Sequence, residues 1–171
     1  AFLHEEDNSD EDMAAAYARA VEKFVGLFTT DRPEIVFIIG DRWEMLAVAS
    51  AASLLRIPIA HHSGGDVTQG SADNQTRYVL STLSHLHFVA LEQHKERLAH
   101  MGEQDWRITV TGEPALTSIK DFASRVPDIY GSLGLVNDED FVIATFHPTS
   151  YDGMDFNAQL DVFIAALDMI E

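Results

Sequence analysis

Four short apolar runs constrain this chain more than any other feature: EIVFIIG (34–40), IPIAH (57–61), HLHFVA (85–90) and ITV (108–110). Each is followed by polar residues and then by a stretch with helical spacing. Strands that alternate with helices over short connections fold as an open parallel sheet with helices on both faces. EIVFIIG is apolar throughout, the pattern of a strand buried on both sides. Ahead of it Ala14, Tyr17, Val21, Phe24, Val25 and Phe28 recur at helical spacing, behind an acidic lead-in from Glu5 to Asp12. Asp10 and Asp12 suit a helix N-terminus. Further helices are expected at about 43–55, 73–84, 91–101 and 114–125 from the same periodicity. Trp43 then falls in the core or on a cleft wall.

Beyond this repeat the pattern restarts. Pro127, Gly131 and Gly134 break regularity, FVIATF (141–146) reads as a new strand, and Met154 to Glu171 reads as a helix. One strand and one helix cannot bury a core of their own. The chain is therefore read as most of one α/β domain (1–125), a connector (126–139) and the first β–α unit of a second domain (140–171). That organisation is the expectation for part of a longer two-domain protein.

Composition narrows the function. Apolar residues make up 46% of the 171 residues, enough for a real core. No run approaches a membrane span, so no membrane partner is expected. Cysteine is absent, which excludes thiolate chemistry and disulfides and agrees with a reducing, cytoplasmic location. A formal charge of −17 argues against nucleic acid as a partner, while leaving room for a small anionic ligand held by local donors.

In open α/β sheets, ligands bind beyond the carboxyl ends of the strands. Four such ends carry distinctive residues here: Gly40-Asp41-Arg42, the loop HHSGGDVTQGSADNQTRY (61–78), TGEP (111–114) and HPTS (147–150). Gly64 and Gly65 suit positive φ and a close backbone approach to a ligand. Asp73 stands where a helix N-cap is expected. Arg77, one turn further on, is placed for an intrahelical pair with Asp73. His85 and His87 alternate along a strand, but no third ligand lies within sequence reach, so no metal is expected. His94 and His100 read as surface or packing residues.

These residues carry a resemblance. GDRWEMLAVASAASLLRIPIAHHSGGDVTQGSADNQTRYVLSTLSHLHFVA, followed by VTGEP and FHPTS, resembles the UDP-N-acetylglucosamine 2-epimerase family, nearest its hydrolysing branch. The resemblance implies two Rossmann-like domains facing across a cleft: a partial first domain here, plus the first β–α unit of the second. It implies a UDP-sugar as small-molecule partner, no cofactor, and the formation of an N-acetylmannosamine-type sugar for sialic or legionaminic acids. The implied reaction removes the proton at sugar carbon 2, expels UDP to leave a glycal, and hydrates it with inversion. By this resemblance Asp41, Asp66, Asp73 and His147 are catalytic, and Arg42, His61, Ser63, Gly64, Gly65 and Arg77 contact substrate. Asp41, Asp66 and Asp73 are expected on one rim, with His147 facing them across the cleft.

One position departs from the family pattern. Many relatives read H-x-E-G-G-E where this chain has His61-His62-Ser63-Gly64-Gly65-Asp66. Serine is no carboxylate base, so Asp66 compensates or the sugar differs. A glycosyltransferase of similar two-domain build, or a non-catalytic nucleotide-sugar module, stays open as an alternative. Apolar surface left uncovered by the missing parts predicts a homo-oligomer.

Overall fold

The computed structural model describes residues 10–123, 129–135, 141–148 and 155–170. Two compact units divide the chain, 1–112 and 113–171. The first runs α1 (Asp10–Thr30), β1 (Val36–Ile39), α2 (Trp43–Leu54), β2 (Ile59–His62), α3 (Asp73–Leu83), β3 (Leu86–Val89), α4 (Glu92–His100), a 3₁₀ turn (Asp105–Arg107) and β4 (Ile108–Val110). All pairings are parallel, in the order β1-β2-β3-β4. The α/β parallel sheet expected from the alternation is therefore present, and Asp10 to Asp12 open α1 as expected. Glu5 to Asp7 lie outside the described residues.

Register explains where the core sits. Ile38 pairs with His61, His61 with His87 and His87 with Ile108, so these four side chains share one face. All four are buried. The helices cover this face. Ala51 and Ala52 of α2 and Leu80 of α3 cluster with Ile38 and Ile59, and Phe28 of α1 joins them. Leu98 of α4 packs with Val89 and Ile108. The alanine-rich face of α2 lets neighbouring backbones come close, which is why so small a side chain recurs there.

The other face differs from expectation. Phe37 and Ile39 of β1 are 55% and 61% exposed, so EIVFIIG is not buried on both sides. That description fits β2 instead, where all four residues are buried. The reason is topological. Among the described residues β1 pairs with β2 alone, and crossovers of one hand that all step the same way place their helices on one face. Among the described residues, the helices of this unit lie on one face rather than two.

In the second unit the described helices are α5 (Pro114–Ala123), α6 (Ile129–Leu133) and α7 (Phe156–Leu167). Phe146 stacks on Phe163 at 5.0 Å between centroids and meets Phe156 at 6.2 Å. The strand expected at FVIATF is not formed: residues 141–148 have no regular secondary structure. A strand exists only through hydrogen bonds to a neighbour, and this unit offers no second strand among its described residues. No described helix is long and apolar enough to cross a membrane.

Candidate functional site

The site is built at the carboxyl edge of the sheet, where β1 and β2 end side by side. Gly40, at φ +91, turns the chain out of β1 in a conformation that favours glycine. Its N–H donates to His62 O at 3.3 Å, and its carbonyl accepts from His61 Nε2 at 2.9 Å. A carbonyl only accepts, so the His61 proton sits on Nε2. His61 is wholly buried, and its pKa is lowered to about 4, chiefly by burial and against the opposing effect of the Gly40 bond. A neutral histidine sealed in the core does not reach a ligand. His61, expected at the substrate, instead holds the Gly40–Asp41 turn onto β2.

Asp41, the next residue, accepts a hydrogen bond from Arg77 Nη2 of α3. Arg77 is buried, and it also donates to Asn74 Oδ1 at 2.9 Å and Thr68 Oγ1 at 3.2 Å. One guanidinium thus ties the end of β1, the loop after β2 and the first turn of α3 together. The fork geometry of arginine suits this, where lysine would offer a point charge. The intrahelical pairing of Arg77 with Asp73 is not made; Asp41, 36 residues earlier in the chain, takes its place. Thr68 and Asn74 were missed by sequence reasoning. Asn74 Oδ1 accepts from Thr68 N at 2.9 Å, and its amide donates to Ser71 O at 3.2 Å and to Thr68 O. An asparagine beside the expected cap was the available signal.

Asp73 lies inside the first turn of α3 and is not its N-cap. The N-cap is Ala72, which makes no side-chain cap bond; the Ser71 hydroxyl just before it accepts from Asp73 N and donates to Asp73 Oδ2, both at 3.2 Å. A serine two positions earlier reaches the Asp73 amide because its short side chain folds back onto nearby backbone.

The glycine pair is explained by packing. Gly65, at φ +76, lies so close to α4 that an added Cβ would stand 2.3 Å from His94 O. A Cβ at Gly64 would meet Ser81 Oγ at 3.0 Å and His61 Nδ1 at 3.3 Å. The close approach expected toward a ligand is made toward helices α3 and α4. Arg97 donates to Gly65 O, and His94 Nε2 lies 3.4 Å from Asp66 Oδ1, which also accepts from Val67 N at 2.7 Å. His94, read as a surface or packing residue, is therefore the partner of Asp66. Ser63, between β2 and the glycines, has φ +81, and its hydroxyl contacts His62 Nδ1 at 3.0 Å.

The remaining residues spread outward. Arg42 is exposed and forks onto Glu44 at 2.8 and 3.2 Å. His85 Nδ1 accepts from Ile59 N at 3.2 Å. His87, with a pKa lowered chiefly by burial and opposed by Glu103, lies 3.2 Å from a Glu103 carboxylate that Arg107 also holds at 2.8 Å. No group of three or more possible metal ligands occurs among the described residues. His147 belongs to the second unit, exposed and without regular structure; Thr149 and Ser150 lie outside the described residues. The result is two linked clusters at one edge, Asp41–Arg77–Thr68–Asn74 and Asp66–His94–Gly65–Arg97, joined by the loop that starts at Ser63.

Comparison with known proteins identifies the family and the fold. The sequence profile described as UDP-N-acetylglucosamine 2-epimerase matches residues 2–171. The chain is 33% identical over 161 residues to a GDP/UDP-N,N'-diacetylbacillosamine 2-epimerase (hydrolyzing) of Campylobacter jejuni, covering 93% of this chain and 42% of that protein. It is 37% identical over 137 residues to a UDP-N,N'-diacetylbacillosamine 2-epimerase (hydrolyzing) of Legionella pneumophila, covering 80% and 36%. The crystal structure of UDP-GlcNAc 2-epimerase from Neisseria meningitidis bound to UDP-GlcNAc shares the fold, with a TM-score of 0.66 at 18% identity over 77% of this chain and 36% of that one. The chain thus spans about two fifths or less of the length of these relatives. With ordered sequence motifs, a parallel sheet and the profile match all agreeing, the chain belongs to the UDP-N-acetylglucosamine 2-epimerase family.

Proposed function

We propose that this chain supplies one wall of a hydrolysing nucleotide-sugar 2-epimerase, which converts a UDP-linked 2-acetamido sugar into UDP and the free 2-inverted sugar. The observation that carries the reading is Asp41, a partly exposed carboxylate at the carboxyl end of a parallel strand, fixed by a buried arginine from the neighbouring helix. Removing a weakly acidic carbon-bound proton needs a base held in place, and a second group must return a proton from the opposite side. Asp41, Asp66 and Asp73 are the carboxylates assigned to these steps. His147 is assigned from the second domain, with 126–139 as connector and 140–171 as that domain's start. Arg42, Ser63 and the backbone at Gly64 and Gly65 are assigned to substrate contact; Arg77 and His61 act behind Asp41 by positioning it.

The two relatives at 33% and 37% identity are named as 2-epimerases of GDP/UDP- or UDP-linked N,N'-diacetylbacillosamine, which favours a UDP-linked diacetamido sugar over UDP-N-acetylglucosamine as the substrate. The products would serve sialic- or legionaminic-type sugars in the cytoplasm, from a homo-oligomer. The chain alone is expected to lack useful turnover, because a cleft reaction draws groups from both walls. The test extends the chain to the length of its relatives and offers both UDP-sugars in deuterated water. Free sugar deuterated at carbon 2, released with UDP, is the expected product. Product still attached to UDP sinks the reading. Asp41→Asn and His147→Ala should each lower turnover about a hundredfold, the scale of a lost acid–base group.

A further inference from the structure

At the end of β2 a serine carries strain that glycine would not. Ser63 has φ +81, a left-handed conformation that costs a non-glycine residue about 1 kcal/mol or more. Two glycines follow it directly, so the turn could be made without that cost. What the strain holds in place is a hydroxyl. Ser63 N donates to Phe88 O at 3.3 Å, which anchors the residue to β3. Its Oγ stands 3.0 Å from His62 Nδ1. On the far side of the ring, His62 Nε2 lies 3.4 Å from Gly112 O.

These two contacts fix the proton. The Gly112 carbonyl can only accept, so Nε2 carries the hydrogen of the neutral ring. Nδ1 is then a lone pair, and the Ser63 hydroxyl must be its donor. Serine donating to a histidine, whose other nitrogen donates to an oxygen that orients it, is the arrangement that activates a hydroxyl. Both protein partners are firm: His62 is 3% exposed and Gly112 ends β4's turn within the same unit. Ser63 itself is only half-buried, and it sits one residue beyond β2 beside the Gly40–Asp41 turn.

The geometry points to a His62–Ser63 proton-transfer pair, with Ser63 as a further catalytic residue for hydration of the unsaturated sugar and His62 as the positioning residue and proton acceptor behind it. This rests on the elimination–hydration reading proposed above. In the hydration half, a water O–H bond breaks as its oxygen bonds to sugar carbon 1. The water proton passes to Ser63 Oγ while the Ser63 proton passes to His62 Nδ1. Carbon 2 takes a proton from a carboxylic acid of the site, which becomes the carboxylate. The proton on His62 then returns through Ser63 and solvent to that carboxylate, which restores the starting state. No oxidant or reductant is required.

The test uses Ser63→Gly, because glycine adopts φ +81 without strain and so removes the hydroxyl without unfolding the turn. In the protein extended to the length of its relatives, Ser63→Gly should slow UDP release far less than it slows hydration. Hydration should slow about a hundredfold, the scale of a lost general base, so the glycal accumulates in place of the free sugar. His62→Phe should give the same split, a far larger loss in hydration than in UDP release. Wild-type release of inverted free sugar by Ser63→Gly overturns the pair, as does loss of UDP release together with hydration at an unchanged melting temperature. A separate reading comes from long-range 1H–15N spectra of the 171-residue chain, where His62 should show a protonated Nε2 and a bare Nδ1 that shifts on Ser63→Gly. A protonated Nδ1 in neutral His62 overturns the pair even if turnover is normal. No UDP release by the unsubstituted protein from any UDP-linked acetamido sugar, with the expected spectra, defeats the epimerase reading and with it the hydration step assigned to the pair.

Discussion

The two units of this chain have apolar sequences of similar strength and reach different states. In the first, four strands pair and Ile38, Ile59, Leu80, Val89 and Ile108 are buried. In the second, no described apolar side chain is buried, and Val142 and Ile143 of FVIATF are 68% and 81% exposed. The helices of the second unit still form. Each turn of a helix bonds within itself, and α7 has its own N-cap, Asp155, accepting from Asn157 N at 3.0 Å. A strand has no such local means of support. The contrast teaches that β structure here is a property of the assembled sheet, while helices answer to nearby sequence.

The largest test of this contrast is a glycine in each unit. Gly65→Ala forces a Cβ to within 2.3 Å of His94 O at φ +76. Overpacking and left-handed strain together should cost about 4 kcal/mol, seen as a large fall in the urea midpoint of the first unit's cooperative transition. Gly134, at φ +71, has nothing within 4 Å of a built Cβ, so Gly134→Ala should cost about 1 kcal/mol from strain alone. Equal effects would break the comparison. Leu80→Ala and Ile143→Ala repeat it without glycine. Leu80 is fully buried in the α2–α3 cluster, and its truncation should cost about 3 kcal/mol. Ile143→Ala should stay within about 0.5 kcal/mol.

Acid should act on the first unit as well. His61 is held neutral with a pKa of about 4 against 6.5 for the free side chain. Between those values the unfolded chain binds a proton that the folded one refuses, so stability rises with pH there. The contribution is fully present above pH 6.5 and falls away as pH drops from 6.5 to 4, by about 3 kcal/mol in all. His87, shifted the same way by burial, steepens the fall. His61→Gln keeps a donor for Gly40 O and does not titrate, so the pH dependence of the urea midpoint should flatten. An unchanged slope would show that His61 is not the buried base.

How far the sequence reached follows the same division. The element order of the first unit and the strand-end location of Asp41 were legible, because periodicity and the carboxyl-edge rule depend on nearby residues and on topology. The partners were not. Nothing local to Asp41 points to Arg77, and nothing local to Asp66 points to His94. Both pairings arise only when β1, β2, α3 and α4 are brought side by side. The misreading of β1 has the same origin, since an apolar run does not record whether a helix will cover both of its faces. The family resemblance puts His61 at the substrate, yet strand alternation turns it inward beside Ile38 and His87. Aspartate favours the cap role, which points to Asp73, yet α3 begins at Asp73 itself behind an Ala72 cap with no side-chain bond, and only the Ser71 hydroxyl reaches back to the Asp73 amide.

The smallest effect probes the claim that α7 stands on local bonds. Asp155 Oδ2 accepts from Asn157 N at 3.0 Å and satisfies one of the free amides of the first turn. Asp155→Ala removes that acceptor and a negative charge at the positive end of the helix, for a loss of about 1 kcal/mol. If the helix is supported locally, the loss should appear as faster amide exchange across the first turns of α7 alone. Amides of β2 and β3 in the first unit should keep their protection, and the first unit's urea midpoint should not move. Asp155→Asn, which keeps the acceptor and drops the charge, should recover most of the protection. Were exchange to quicken in β2 and β3 as well, the two units would be energetically one, and the contrast between a sheet built by its neighbours and a helix built by its own sequence would no longer describe this chain.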